Sequence, residues 1–156
     1  MKAHIGITEK NGQSVVNELS KILADEFVLY TKTRKAHWNL EGPDFFEKHT
    51  FFELQYRQLE EFIDEVAERI RKLGFYTPAS LTAFLGLTQL SEVTSENNDS
   101  KGFIKELLID HESVIINLRE NISKFDKEFH DAGSTDFITG LMEEHEKMAW
   151  ILRSHL

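Results

Sequence analysis

The sequence predicts an all-α protein: a four-helix bundle whose second and third helices are joined by a long crossover carrying a short helix of its own. Three observations predict it. Four stretches repeat apolar residues at the spacing of a helix packed on one face. Only two prolines and eight glycines interrupt 156 residues, so long helices are possible. The strongest breakers, Gly42-Pro43 and Gly74, fall between the periodic stretches.

The first helix is expected over residues 14–39, with Val15, Leu19, Ile22, Leu23, Phe27 and Tyr30 on one stripe. Residues 1–13 are expected as a short tail, and 14–156 as one domain. Gly42-Pro43 ends the helix, because proline cannot continue the hydrogen-bond ladder. The second helix starts at Asp44, which with Glu47 has the spacing of a capping box. It runs to Lys72 through Phe51, Phe52, Leu59, Phe62, Ile63, Val66 and Ile70, and Gly74 stops it. The crossover, 75–100, contains a turn at Thr77-Pro78, a short helix over 81–85 and a polar, irregular end from Ser95 to Ser100. The third helix is expected over 101–129 with Phe103, Leu107, Val114, Leu118, Ile122 and Phe125. The fourth is expected over 134–154 with Phe137, Ile138, Leu141, Met148 and Leu152. Two helices, a long crossover and two more helices is the connectivity of ferritin-like bundles.

Composition narrows the chemistry. Hydrophobic residues make up 40% and charged residues 29%, ordinary for a globular domain. Apolar runs fall short of a membrane span, and Met1-Lys2-Ala3-His4-Ile5-Gly6 lacks the apolar stretch of a signal peptide, so a cytoplasmic location is expected. With no cysteine, disulfides and thiolate sites are excluded. Any metal is held by His, Asp and Glu, a set suited to iron, manganese or zinc. The net charge of −9, from 27 acidic and 18 basic residues, repels phosphate backbones and attracts cations.

Four residues are candidates for one metal site: His37, His49, Asp64 and Glu68. Asp64 and Glu68 are one turn apart on one helix face, beside Ile63 and Val66, and so partly on the stripe expected to be buried. The Gly42-Pro43 hairpin brings His37 and His49 near each other. His49 and Asp64, however, stand 15 residues apart on one uninterrupted helix, roughly 22 Å along its axis. Ligand bonds are only about 2.0–2.2 Å long. If the four form one site, the histidines come from one subunit and the carboxylates from another, and two-fold pairing generates two equivalent sites. An intra-bundle site built on Glu-x-x-His pairs lacks its signature, since none of the seven histidines has a glutamate three residues before it.

The chain resembles the Dps family of ferritin-like mini-ferritins over nearly its whole length. The blocks that carry the resemblance are Ala36-His37-Trp38-Asn39-Leu40-Glu41-Gly42, Phe45-Phe46-Glu47-Lys48-His49 and Asp64-Glu65-Val66-Ala67-Glu68-Arg69. The resemblance implies a ferroxidase: a hollow dodecamer that oxidises Fe(II), preferentially with hydrogen peroxide over oxygen, and stores ferric oxide inside. It implies that His37 and His49 face Asp64 and Glu68 across a two-fold interface, in agreement with the distance argument. Glu53, one turn after His49, is then a ligand of a second, weaker iron position, with a solvated or salt-bridged surface residue as the alternative, and Trp38 intercepts stray oxidising equivalents, with packing at an interface as the alternative. In such shells acidic residues near the last turn line an iron-entry pore, which points to Asp126, Asp131 and Asp136. The alternative for Asp136 is helix-end charge, favoured by the dipole in a first turn.

His111, His130, His145 and His155 have no comparable partner set and are read as surface or structural, and His4 falls in the tail. The 12 phenylalanines are read as core and interface. DNA compaction is the competing function. The first 14 residues hold only Lys2 and Lys10 against Glu9, and Arg153 is the last cation, so DNA binding is expected to be weak or absent.

Overall fold

A computed structural model describes residues 3–92 and 98–156. It contains helices α1 (Glu9–Asn39), α2 (Phe45–Lys72), α3 (Leu81–Leu87), α4 (Ser100–Lys127) and α5 (Ala132–Arg153). No strand occurs among the described residues. α1 with α2 and α4 with α5 form two hairpins; α1 also packs on α4, and α2 on α5. This leaves α1 and α5 on one diagonal of a four-helix bundle and α2 and α4 on the other. Each long helix buries one stripe: Leu19, Leu23 and Leu29 on α1, Phe52, Leu59 and Ile70 on α2, Ile104, Leu118 and Phe125 on α4, and Ile138, Met148 and Leu152 on α5. The all-α bundle with a helix in its crossover is therefore the observed fold.

The crossover is fastened to α1. α3 lies on α1 with the Phe27 and Phe84 rings stacked at 4.1 Å. Just beyond it, Asp25 Oδ1 accepts from the Thr88 hydroxyl at 2.7 Å and the Gln89 N–H at 2.6 Å. Burial pushes the Asp25 carboxyl above its usual range. The Lys32 ammonium donates to the Ser91 carbonyl at 3.2 Å and pairs with Asp110 and Glu106 of α4 at 2.5 and 3.3 Å.

Helix boundaries depart from the sequence expectation in instructive ways. α1 begins at Glu9, because Thr8 caps it by accepting from the Asn11 N–H. The poor helix former Gly12 is buried there, where an added Cβ would meet the Phe75 ring at 3.1 Å. The capping box at α2 does not form: Asp44 stands at the N-cap without a side-chain cap bond, and Glu47 pairs with Lys48. A hydrogen bond with the Ser100 hydroxyl instead holds the Asp44 carboxyl below its usual range. Ser100 opens α4 behind the cap residue Asp99, whose carboxylate accepts from the Gly102 N–H; Ser95, Glu96 and Asn97 lie outside the described residues. Between α4 and α5, His130 takes a positive φ of 54° and lets the chain reverse without glycine.

α5 starts two residues earlier than expected, at Ala132, under Asp131 as N-cap. The Asp131 carboxylate accepts from the Ser134 N–H and hydroxyl, and the Arg69 guanidinium on α2 bonds both residues. This cap is buried, so losing it leaves donors without partners. Asp131→Ala is expected to lower stability by about 1–2 kcal/mol, measured by urea unfolding against wild type.

Candidate metal centre

The end of a helix leaves its last carbonyls without intrahelical donors. α1 ends at Asn39, and the ring of His49 answers the carbonyl of His37: Nδ1 donates to it at 2.8 Å. The relation is reciprocal, since His37 Nδ1 donates to the His49 carbonyl, also at 2.8 Å. A carbonyl only accepts, so each Nδ1 carries a proton, and in the neutral form of either ring the lone pair is on Nε2. The two rings stack with centroids 3.7 Å apart, braced by Tyr56 edge-on to His37 at 5.2 Å and by Phe45 against His49 at 5.0 Å. Neither Nε2 has a hydrogen-bond partner among the described residues. Imidazoles oriented through Nδ1 on backbone carbonyls are the usual arrangement of histidine metal ligands. The hairpin thus presents two stacked imidazoles with both Nε2 atoms open.

Glu53 lies on the same side. Its carboxylate is bonded by Arg57, at 2.9 Å to Nε. Arg57 first, and the nearby His37 and His49 after it, hold the Glu53 carboxyl below the usual glutamate range. Both Arg57 bonds fall on Oε1, and Oε2 is left to other partners. Trp38, the neighbour of His37, is 63% exposed, with the Arg34 guanidinium over its ring at 4.9 Å.

The carboxylate half stands elsewhere. Asp64 and Glu68 lie on α2 more than three turns beyond His49, and α2 has no break between them. Contrary to the partly buried position expected, both are exposed, because the inward stripe of α2 is Leu59, Phe62, Val66 and Ile70. Glu68 pairs with Lys72 at 3.1 Å. Asp64 borders a groove of roughly 380 Å³ under the crossover, walled by Phe27, Ile63, Pro78, Leu81 and Phe84. Among the described residues, no cluster of three or more His, Asp and Glu in one chain is placed to hold an ion. The structure brings His37 to His49 and leaves Asp64 beside Glu68, but it does not bring the two pairs together.

Of the three acidic residues expected at a pore, Asp131 is instead the buried cap of α5, its oxygens taken by Ser134 and Arg69. Asp126 and Asp136 are exposed. Asp136 lies in the second turn of α5 rather than the first, because the helix starts at Ala132.

A polar cluster that sequence reasoning missed lies in the core. His111 and His145, read from sequence as surface or structural, are buried and joined Nδ1 to Nδ1 at 3.0 Å, and Glu26 meets His145 Nε2 at 2.8 Å. The signal was present: His111 continues the stripe of Leu107, Val114 and Leu118, and His145 that of Ile138, Leu141, Met148 and Leu152.

Comparison with known proteins agrees with this architecture. The ferritin-like domain family matches residues 16–156. The chain is 43% identical to a low temperature-induced protein of Nostoc, over 99% of this chain and 87% of that one. It is 31% identical to DNA protection during starvation protein 2 of Bacillus anthracis, over 92% of this chain and 97% of its relative. The Dps protein of Vibrio cholerae, described as a member of a superfamily of ferritin-like diiron-carboxylate proteins, superposes with a TM-score of 0.91 at 31% identity, covering 98% of this chain and 95% of that one.

Removing Arg57 tests the electrostatics of the histidine half-site. Arg57→Ala is expected to raise the Glu53 carboxyl toward the ordinary glutamate value in a carbon-NMR titration. The thermal midpoint should barely move, because the pair is exposed.

With a helical bundle of this connectivity, a ferritin-like match over residues 16–156 and relatives that align over nearly all of it, the chain belongs to the Dps family of ferritin-like proteins.

Proposed function

We propose that this protein stores iron and limits oxidative damage by oxidising Fe(II) at sites shared between two subunits. One observation carries the reading. His49, stacked on His37 of α1, and Asp64, one turn before Glu68, are set about 22 Å apart along one unbroken helix, α2. Two copies related by a two-fold axis, with the histidine end of one α2 against the carboxylate stretch of the other, would complete two sites at once.

In this reading Fe(II) is the substrate. His37 and His49 offer nitrogens that bind Fe(II) well, and Asp64 and Glu68 offer oxygens that favour Fe(III) as charge builds. Glu53 serves a second, weaker position through Oε2, the oxygen that Arg57 does not hold. Two Fe(II) ions give one electron each to one hydrogen peroxide, which takes two protons and leaves as two waters, with no hydroxyl radical released. Peroxide is the preferred oxidant over oxygen, Trp38 intercepts stray oxidising equivalents, and ferric oxide accumulates inside a dodecamer. Asp126 and Asp136 are assigned to the entry of iron, and Asp131 to the cap. The protein works in the cytoplasm; no helix among the described residues is long and apolar enough to cross a membrane.

Complementation tests the shared site. A His37→Ala/His49→Ala chain and an Asp64→Ala/Glu68→Ala chain are each expected to be inactive in peroxide-dependent ferric absorbance. After co-refolding, half of the dimers are mixed, and each mixed dimer holds one intact site of two. About a quarter of wild-type activity should return. No recovery, in a mixture shown by native mass to contain mixed assemblies, would refute the arrangement.

DNA compaction is the second reading. The net charge of −9 per subunit opposes it. A gel shift is expected to be absent at moderate salt, and a shift that persists there would favour the DNA reading.

A further inference from the structure

Glu26, His111 and His145 are 0%, 1% and 0% exposed, and they come from α1, α4 and α5. Glu26 Oε1 meets His145 Nε2 at 2.8 Å, and His145 Nδ1 meets His111 Nδ1 at 3.0 Å. The other Glu26 oxygen is buried without a hydrogen-bond partner. A shared metal ion does not explain this arrangement. The two nitrogens of His145 point away from each other, so Glu26 and His111 lie at opposite edges of its ring and cannot meet at one ion. Both contacts have the length of hydrogen bonds. The three residues also span the bundle, because α1 and α5 are the diagonal helices.

We propose that the Glu26–His145–His111 chain is an acid-sensitive latch that ties α1 to the α4–α5 hairpin near neutral pH and releases it as the solution turns acid. Proton counting gives the direction. Each neutral imidazole carries one N–H: that of His145 faces Glu26, and that of His111 lies between the two Nδ1 atoms. His111 Nε2 can accept one more proton, so the folded pair holds at most three. A fourth would set two N–H donors against each other across the 3.0 Å contact. The unfolded chain takes all four. Burial, and then the neighbouring His145, push the His111 imidazole well below its ordinary range. The stability held here is therefore fully present above the ordinary imidazole value, and it is lost as pH falls through that value toward the depressed one.

The surroundings add no competing cation. Among the described residues, no lysine or arginine bonds to the chain. α2 contributes the Phe62 ring, 5.4 Å from His145. On α4 the preceding Asp110 holds Lys32, and on α5 the flanking Glu144 and Glu146 turn to Lys147 and Arg119. On α1 the preceding Asp25 faces the crossover. Its raised carboxyl works in the opposite direction, since acid relieves that buried charge.

The test compares metal-free full-length wild type with His111→Asn, which keeps a polar side chain at this point but does not titrate. It is independent of the proposed iron chemistry. Urea unfolding at fixed protein concentration is followed from pH 7.5 to 4.5. Below about pH 6.5 the wild-type folding constant should fall relative to the variant, by about tenfold per pH unit for each excluded proton. Titrating groups remote from the chain are common to both proteins and cancel in the ratio, so the difference reports His111 together with the two groups it is linked to, His145 and Glu26. Parallel curves would overturn the latch. Where the variant does not fold, hydrogen exchange of wild type decides, corrected for intrinsic rates. Loss of protection in α4 and α5 at pH 5 supports the latch, and protection equal to that at pH 7 overturns it.

Discussion

The rigidity of one helix governs how this protein can work. α2 runs unbroken from Phe45 to Lys72 and carries His49 near one end and Asp64 and Glu68 toward the other. A straight helix holds these groups some 22 Å apart, about ten times the length of a metal–ligand bond. No side-chain rotation closes such a gap. Each chain therefore holds two separate pairs of side chains, imidazoles at the hairpin and carboxylates further along, which the proposed function treats as two half-sites. The proposed iron chemistry and the assembly of subunits then become one requirement.

The histidine half-site follows from ordinary helix physics. The hairpin must end α1 somewhere, and an ended helix has carbonyls to satisfy. His49 satisfies one of them, and His37 returns the bond to α2. The same two bonds fix the tautomers and leave both Nε2 atoms open. Local backbone satisfaction and readiness for a metal thus come from the same pair of hydrogen bonds. The acidic surface adds long-range attraction for cations.

The interior handles its polar groups by spending them on connections between helices. Asp25 and Glu26 are adjacent on α1 yet serve opposite sides: Asp25 fixes the crossover, and Glu26 reaches across the core to His145. Lys32, two turns further along, answers α4 and the crossover together. Buried polar groups need partners, and here each partner belongs to a different element. The bundle is thereby given a specific arrangement of helices that apolar stripes alone would leave loosely defined.

By itself the sequence determined the number and order of the helices, because apolar spacing and the breakers Gly42-Pro43 and Gly74 are local signals. It also determined that His49 and Asp64 cannot meet within one chain, since helical rise converts residue count directly into distance. Tertiary structure alone decided the rest. Gly12 became helical under the Phe75 ring, and Asp44 turned from its expected cap to Ser100. Asp131 left solvent to cap α5 against Arg69, and His111 and His145 found each other and Glu26. Each of these outcomes depends on a partner at least thirty residues away in the chain, and no local pattern records which distant residue will arrive.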